Sequence, residues 1–298
     1  MPCRKPITTP LDDAYRAAFE HVRLHDPDRY LSTLFAPVAT RHHLFALYAF
    51  NAEIARVRSL VRDPMPGEIR YQWWRDFLIG KSHGEAAQNP LAVALDATIR
   101  ACSLPTRPLL NLIEARTFDL YDDPMPSWLD CEGYCGETSS ALVRLASLCL
   151  SGGREEGGAE AAGHAGVAFA LTGLLRAFPW TARRGQLFLP REVFAGYGVS
   201  PEDICAGKDS PGLRAALADI RARAAGHLAQ TRALIPSVSP VIAPAFFPVC
   251  LVDPYLKAMS QPGYDPFRTV VDVARLRKLF VLWRSARRAA GTPRRIAA

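Results

Sequence analysis

Long apolar segments are missing from this chain of 298 residues. No run approaches the roughly 18 consecutive apolar residues that a membrane-spanning helix requires, so the sequence predicts no such span. The N-terminal sequence MPCRKP is basic, but no apolar stretch follows it. We therefore expect no secretory signal, because such a signal needs an apolar core of about 7–15 residues.

Closely spaced cysteines are scarce. Of the seven cysteines, only Cys131 and Cys135 are near each other, whereas a structural zinc site of this type usually takes two such pairs. The odd number favours reduced thiols over a disulfide framework, which predicts a cytoplasmic protein.

His42 and His43 are adjacent, so on a helix they point in different directions and do not form the spaced pair of a metal site.

Several signatures of catalysis and of nucleotide binding are also absent. The sequence has no G-x-S-x-G segment, which is typical of α/β-hydrolases. The glycine pairs at 152–153 and 157–158 lack the lysine of a phosphate-binding loop. No aromatic-rich basic motif or helix-turn-helix signature is present, so we expect no nucleic acid partner.

Positive charge is concentrated near the C-terminus. The chain has 36 basic and 29 acidic residues, for a net charge of +7. A basic tail suits an anionic membrane surface, but cations also suit the solvated C-terminal end of a helix, and the sequence leaves both interpretations open. The basic residues of the tail are Arg275, Arg277, Lys278, Arg284, Arg287, Arg288, Arg294 and Arg295.

Apolar residues recur mostly three or four positions apart, which predicts an all-α protein. With no internal repeat or long linker, residues 1–298 are expected to form a single domain with a basic C-terminal tail. Pro64 and Pro66 are expected to end one helix, and Pro179 to end another. The predicted helices cover residues 11–24, 38–60, 67–80, 90–102, 109–120, 127–151, 159–177, 189–196, 211–234, 250–259 and 268–290.

Four segments, in their order and spacing, resemble the squalene/phytoene synthase family over residues 30–200. In that family the first segment leads into an aspartate-rich motif, and the fourth contains a second one. The resemblance implies an isoprenoid-synthase bundle of helices around a central apolar cavity, and an enzyme that joins two prenyl diphosphates head to head with magnesium. The segments are 47–50 (LYAF), 69–75 (IRYQWWR), 112–135 (LIEARTFDL to EGYC) and 171–190 (LTGLLR to ARRGQLFLP).

The resemblance also implies roles for individual residues. Tyr134 falls where the family carries a tyrosine implicated in proton handling, and Arg176 falls on an arginine of the second motif. Ser32 matches a serine that contacts phosphate, and Arg70 belongs to the segment that resembles R-x-x-W-W. From the residues alone, Tyr134 is also consistent with a core tyrosine that makes one hydrogen bond, and Arg176 with a structural ion pair to Glu137.

The aspartates expected from the family are replaced in both motifs. Two aspartates four positions apart lie on one face of a helix, and two such pairs on facing helices can hold magnesium, which prefers hard oxygen ligands. The sequence therefore predicts no magnesium cofactor unless the protein is an atypical enzyme. The residues at these positions are Ala55, Arg56 and Ser59 in the first motif, and Gly173, Ala177, Thr181, Gln186 and Phe188 in and around the second.

Neighbouring residues do not restore a clamp. Glu53 points in a different direction on its helix from the first motif position. Asp119 and Asp123 are four apart, but Pro124 follows, so a helix stop with a turn explains them better. Arg56 could contact phosphate directly, since arginine binds phosphate well. Ionisation of a diphosphate would then lose the stabilisation, on the order of several kcal/mol, that a metal supplies.

Three functions are consistent with these features. The first is a non-catalytic family member that assists assembly of a respiratory complex, peripherally at the inner membrane. Residues 50–54 (FNAEI) and the block at 183–190 resemble the branch of mitochondrial complex I assembly factors. The second is an active prenyltransferase that uses magnesium or binds diphosphate atypically. The third is a protein that binds a prenyl diphosphate or lipid in its cavity without reacting.

Overall fold

The computed structural model describes residues 9–81 and 88–291, and within these ranges the chain forms helices and no β-strand. Arg294 and Arg295 of the predicted basic tail lie outside the described residues. The α-helices are α1 (Pro10–His25), α2 (Pro27–Thr33), α3 (Arg41–Leu60), α4 (Pro64–Leu78), α5 (Pro90–Ala101), α6 (Arg107–Thr117), α7 (Trp128–Cys135), α8 (Ala141–Ser151), α9 (Ala159–Arg183), α10 (Arg191–Gly196), α11 (Pro201–Cys205), α12 (Pro211–Leu234), α13 (Val252–Met259) and α14 (Arg275–Gly291).

Prolines begin many of these helices. A proline occupies the first position of α1, α2, α4, α5, α11 and α12, where its missing N–H has no partner to lose and its fixed φ suits the helix. Helix α3 ends at Leu60, before Pro64, but Pro64 is itself the first residue of α4. The predicted start of that helix at residue 67 was therefore three residues late.

Pro179 does not end its helix, and that prediction was wrong. Helix α9 continues through Pro179 to Arg183, although an internal proline removes one backbone hydrogen bond. Tertiary packing accounts for the difference. Phe178 is buried and its ring stacks on Phe194 and lies against Phe267, with centroids 6.2 and 5.5 Å apart.

Other boundaries also differ from the prediction. The segment predicted as one helix over 127–151 is α7 and α8 joined by a π-helical turn, Gly136–Ser140. Helix α14 begins at Arg275 rather than at 268. Two short helices, α2 and α11, were not predicted, because seven and five residues are too few to show a helical period.

Helix α9 forms the centre of the core. It packs against α12, α8, α13 and the 3-10 segment Ala243–Leu251, whereas α1, α3 and α5 pack on one another beside it. By length and composition α9 is the one helix in the described ranges that could span a membrane, but 56% of its apolar window is buried inside the fold. Its apolar residues are therefore those of a core helix.

The six cysteines within the described ranges are free thiols, and four of them are buried. This agrees with the expectation of reduced thiols. The cytoplasmic location inferred from them stays a prediction.

Gly166 allows α9 to approach the π-helical turn. A Cβ at Gly166 would collide with the backbone of Ser140, whereas a Cβ at Gly163, one turn earlier, would meet nothing within 4 Å. We expect Gly166→Ala to lower the free energy of unfolding by about 1–3 kcal/mol through overpacking. Gly163→Ala should instead raise it by about 0.5–1 kcal/mol, because alanine favours the helix. Urea denaturation of both variants tests this, and equal effects would contradict it.

His43 is expected to make the fold sensitive to acid. Its Nδ1 lies 3.0 Å from Thr98 Oγ1 and 3.3 Å from the Tyr15 hydroxyl. Burial, and then the neighbouring His42, lowers the pKa of His43 from 6.5 to about 4. A lowered pKa means that the folded state favours the neutral ring, so this stabilisation is complete above pH 6.5 and is lost as the pH falls towards about 4.

We therefore expect the difference in melting temperature between wild type and His43→Asn to vary with pH. Asparagine keeps a hydrogen-bonding group near Nδ1 but does not titrate. The wild type should lose stability relative to the variant as the pH falls from 6.5 to about 4. Thermal melts across this range measure the effect, and a constant difference at every pH would show that His43 does not contribute.

Candidate functional site

Helix α2 contacts both helices that carry the motif-like segments, because Arg29 lies over a ring of α3 and a ring of α9. It packs against α3, against the 3-10 segment Ala243–Leu251 and against α14. Asp26 precedes α2, and its side chain accepts a hydrogen bond from the backbone N–H of Arg29, which fixes the start of the helix. This short element brings Asp28 and Arg29 to the middle of the bundle, where both side chains are buried.

Asp28 is the hub of a buried charge cluster. Its carboxylate, in a residue only 5% exposed, accepts hydrogen bonds from Arg176 Nη1 at 3.1 Å and from the Tyr255 hydroxyl at 2.8 Å. Lys278 Nζ, also buried, lies 2.9 Å from the same carboxylate and 2.6 Å from Asp272. The Arg176 guanidinium also stacks on the Tyr255 ring, 3.8 Å from its centroid. These contacts join α2, α9, α13 and α14.

The cluster forms the floor of a groove of ≈450 Å³. Three acidic and three basic side chains line it, so its charges balance. Burial lowers the pKa of His25, a further lining residue, which favours its neutral form. Gly173 also lines the groove and has open space beside it, with nothing within 4 Å of a Cβ placed there. The charged lining residues are Asp26, Asp28, Asp272, Arg29, Arg176 and Lys278.

Arg29 separates this groove from the centre of the bundle. Its guanidinium lies over the rings of Phe169 on α9 and Tyr48 on α3, 4.6 and 5.4 Å from their centroids, and it pairs with Asp26 at 2.7 Å. A cavity bounded by these rings and by Ser139 measures ≈10 Å³. Ligand pockets measure about 300–1,000 Å³, and about 10–15 Å³ holds a single water molecule. This cavity therefore has no room for a prenyl chain.

A second buried cluster surrounds Tyr134. The Tyr134 hydroxyl donates to Asp119 Oδ1 at 2.8 Å and accepts from Arg116 Nη1 at 2.5 Å. Arg116 also pairs with Asp119 Oδ2 at 2.9 Å. Burial raises the pKa of Tyr134 and that of Asp119. Tyr134 is therefore a protonated hydrogen-bond donor at neutral pH.

The structure corrects the local interpretation of these residues. Tyr134 makes two side-chain hydrogen bonds rather than one, and Arg176 pairs with Asp28 and not with Glu137. Glu137 lines a different groove, together with Arg144. Asp119 is buried and hydrogen-bonded, so it does more than stop a helix.

The segment of α3 that resembles the first motif is tied to the neighbouring loops. Arg58 Nη2 donates to Asp122 Oδ1 at 3.1 Å, and Gln186 Nε2 donates to the same oxygen at 2.9 Å. Asp122 thus connects α3 to the segment that follows α9. Glu53 lies 3.6 Å from His21, whose pKa is lowered to about 4, first by burial and then by His25 and Arg56.

The residues of this region do not fit a magnesium clamp. Within residues 9–81 and 88–291, no group of three or more histidine, cysteine, aspartate or glutamate side chains could hold a metal ion. The buried carboxylates are already satisfied by cations, Asp26 by Arg29 and Asp28 by Arg176 and Lys278. A hard cation would have to displace those partners. The expectation that the protein works without a cofactor stays a prediction.

The five residues assigned from the family resemblance do not form one site. Arg176 lies in the groove, whereas Tyr134 lies in the separate buried cluster. Ser32 is buried on α2 and its Oγ donates to the carbonyl of Arg29 at 3.0 Å. Arg56 is half-buried on α3, and Arg70 is exposed on α4. Their roles in substrate binding stay predictions.

The sequence analysis missed the residues that complete both clusters. Asp28 and Arg29 lie on the unpredicted α2, Tyr255 and Lys278 belong to none of the four segments, and Arg116 lies within the third segment but was not predicted to have a role. The cationic partners of Asp28 are 148 and 250 positions away along the chain (28 to 176 and 28 to 278). Contacts between residues so far apart in the sequence cannot be predicted from the spacing of residues within a short motif.

The comparisons with known proteins agree with this architecture. The family model for squalene/phytoene synthase matches residues 22–279. NADH dehydrogenase (ubiquinone) complex I, assembly factor 6 of Bos taurus is 30% identical over 252 residues, which cover 85% of this chain and 75% of that protein. The 15-cis-phytoene synthase of Synechococcus elongatus is 26% identical over 286 residues, which cover 90% and 91%.

Among solved structures, squalene synthase from Alicyclobacillus acidocaldarius superposes with a TM-score of 0.72 at 23% identity, covering 88% of this chain and 98% of that one. The predicted all-α isoprenoid-synthase fold is thus confirmed. The match to the family model over most of the chain settles its relationship as well: the chain belongs to the squalene/phytoene synthase family.

Proposed function

We propose that this protein is a non-catalytic member of its family and acts in the assembly of a respiratory complex. The observation that carries the proposal is the position of Arg29, which lies over the rings of Tyr48 and Phe169 beside a cavity of only ≈10 Å³. The similarity to complex I assembly factor 6 supports a role in assembly. A protein that binds no prenyl chain at its centre can still present its outer surfaces to partner proteins.

The charges of the groove support the same conclusion. A diphosphate carries several negative charges, and its departure requires surplus positive charge nearby. The groove has equal numbers of acidic and basic side chains, and Asp28 and Asp272 already pair with Arg176 and Lys278. Without a metal, ionisation would lack stabilisation on the order of several kcal/mol.

Tyr134 has a structural role in this proposal. Its hydroxyl is held between Arg116 and Asp119, and its raised pKa keeps it protonated. It therefore does not serve as a base at neutral pH. The cluster instead joins α6 to α7.

The groove volume favours a second candidate function. A groove of ≈450 Å³ falls within the range of about 300–1,000 Å³ that small ligands occupy. In this alternative the protein binds a prenyl diphosphate or lipid headgroup there, without reaction or in an atypical magnesium-dependent transfer. Co-purified lipid detected by mass spectrometry would favour it.

Deletion of the gene in the host organism tests the main proposal. We expect less assembled NADH dehydrogenase complex on native gels, lower NADH oxidation by membranes, and unchanged isoprenoid content. Complementation with the Tyr134→Phe variant should restore assembly, because no proton transfer is required. Normal complex levels with altered isoprenoids, not restored by Tyr134→Phe, would overturn the proposal in favour of an enzyme.

A further inference from the structure

Helix α14 presents an unusual face to solvent. Leu276, Phe280 and Trp283 are 82%, 59% and 47% exposed, and their spacing of four and three places them in one stripe along the helix. The opposite face is buried through Lys278 and Leu282, which hold the helix on the body of the protein. The apolar stripe is therefore fixed in place and directed outward.

Arginines accompany this stripe along the same helix. The arginines at 275, 277, 284, 287 and 288 are exposed, and the guanidinium of Arg287 lies 5.3 Å from the centre of the Trp283 ring. Residues 275–298 contain eight basic and no acidic residues. Since the whole chain has a net charge of +7, the other residues together carry −1. The net positive charge of the protein is thus confined to this segment.

We propose that α14 lies flat on the surface of a membrane that contains anionic lipids, with Leu276, Phe280 and Trp283 in the interface. Helices that bind in this way combine an apolar face with flanking arginines or lysines. Tryptophan and phenylalanine favour the boundary between headgroups and acyl chains. The complete lack of acidic residues after Arg275 matches the charge of an anionic lipid surface.

The proposal has a consequence for the groove. Lys278 contributes to the Asp28 cluster from the buried face of the same helix. An α-helix with its side chains is about 10–12 Å across, so a membrane in contact with the stripe lies about one helix diameter from that cluster. This inference does not depend on the proposed role in assembly.

Flotation of the full-length protein with lipid vesicles tests it. We expect binding to vesicles of phosphatidylcholine mixed with phosphatidylglycerol, little binding to phosphatidylcholine alone, and loss of binding in about 1 M salt, where charges are screened within about 3 Å. Arg284→Gln should weaken binding about fivefold, and Arg277→Gln likewise, since each basic residue near an anionic surface contributes by about that factor. Phe280→Ser with Trp283→Ser should weaken it at least tenfold.

Matched controls lie elsewhere on the surface. Leu129 on α7 is 84% exposed, and the Arg100 side chain on α5 is 79% exposed. Leu129→Ser and Arg100→Gln should leave flotation unchanged, and circular dichroism should show every variant folded. Equal binding to neutral vesicles, no binding to anionic ones, or equal losses in the control variants would each overturn the proposal. A negative result in the vesicle experiment would not change the expected deletion phenotype, so the two proposals can be refuted independently.

Discussion

Replacing Asp28 by asparagine is expected to lower the free energy of unfolding by about 3 kcal/mol, the lower end of the range for breaking a buried ion pair. The change leaves Arg176 and Lys278 without their shared carboxylate, although Asp272 still lies within reach of both. Asparagine retains a hydrogen-bond acceptor for Tyr255. The lost free energy of unfolding therefore comes mainly from removal of the negative charge. Urea denaturation monitored by circular dichroism measures it.

Two comparisons define the origin of this effect. Asp96→Asn makes the same chemical change in an exposed pair with Arg100 and should cost less than about 1 kcal/mol. Adding Lys278→Met to Asp28→Asn should cost less than the sum of the single changes, because the second removes a charge that the first left unpaired. If Asp28→Asn cost no more than Asp96→Asn, the buried cluster would not be holding the four helices together.

Replacing Asp119 by alanine is expected to have an effect at least as large, about 3–5 kcal/mol. Asp119 is 5% exposed and is the carboxylate partner of Arg116, as well as the acceptor for Tyr134. Its removal leaves a buried guanidinium facing only a phenol. Tyr134→Phe removes one hydroxyl from the same cluster and should cost about 1–3 kcal/mol.

Asp122 provides the matched control for this prediction. It lies three positions after Asp119, and its side chain is 63% exposed although it pairs with Arg58. Asp122→Ala should cost about 1 kcal/mol or less. If Asp119→Ala and Asp122→Ala lowered the free energy of unfolding by similar amounts, burial would not distinguish the two aspartates. The Tyr134 cluster would then contribute less to stability than its geometry indicates.

The sequence predicted one of the long helices to the residue. The predicted helix over 211–234 coincides with α12, because an extended apolar period leaves little ambiguity. Pro179 was misread because the prediction weighed a lost hydrogen bond without knowledge of the packing around Phe178. Helix α2 was missed because its seven residues are mostly polar and too few to define a face.

The candidate site was less accessible to prediction. The motif-like segments correctly pointed to α3 and α9, and Arg176 does line the groove. The side chain that contacts both α3 and α9, Arg29, comes from α2, and one cation of the cluster, Lys278, comes from α14, more than 100 positions after α9 begins (159 to 275). A substitution at a motif is visible in the sequence, whereas contacts between such distant residues are visible only in three dimensions.

The central proposal is that this protein does not catalyse prenyl transfer. The most direct measurement is release of diphosphate from farnesyl and geranylgeranyl diphosphate by the purified protein in the presence of magnesium. The account predicts no release above that of the buffer alone, for wild type and Tyr134→Phe alike. Turnover by the wild type that Tyr134→Phe abolishes would contradict it.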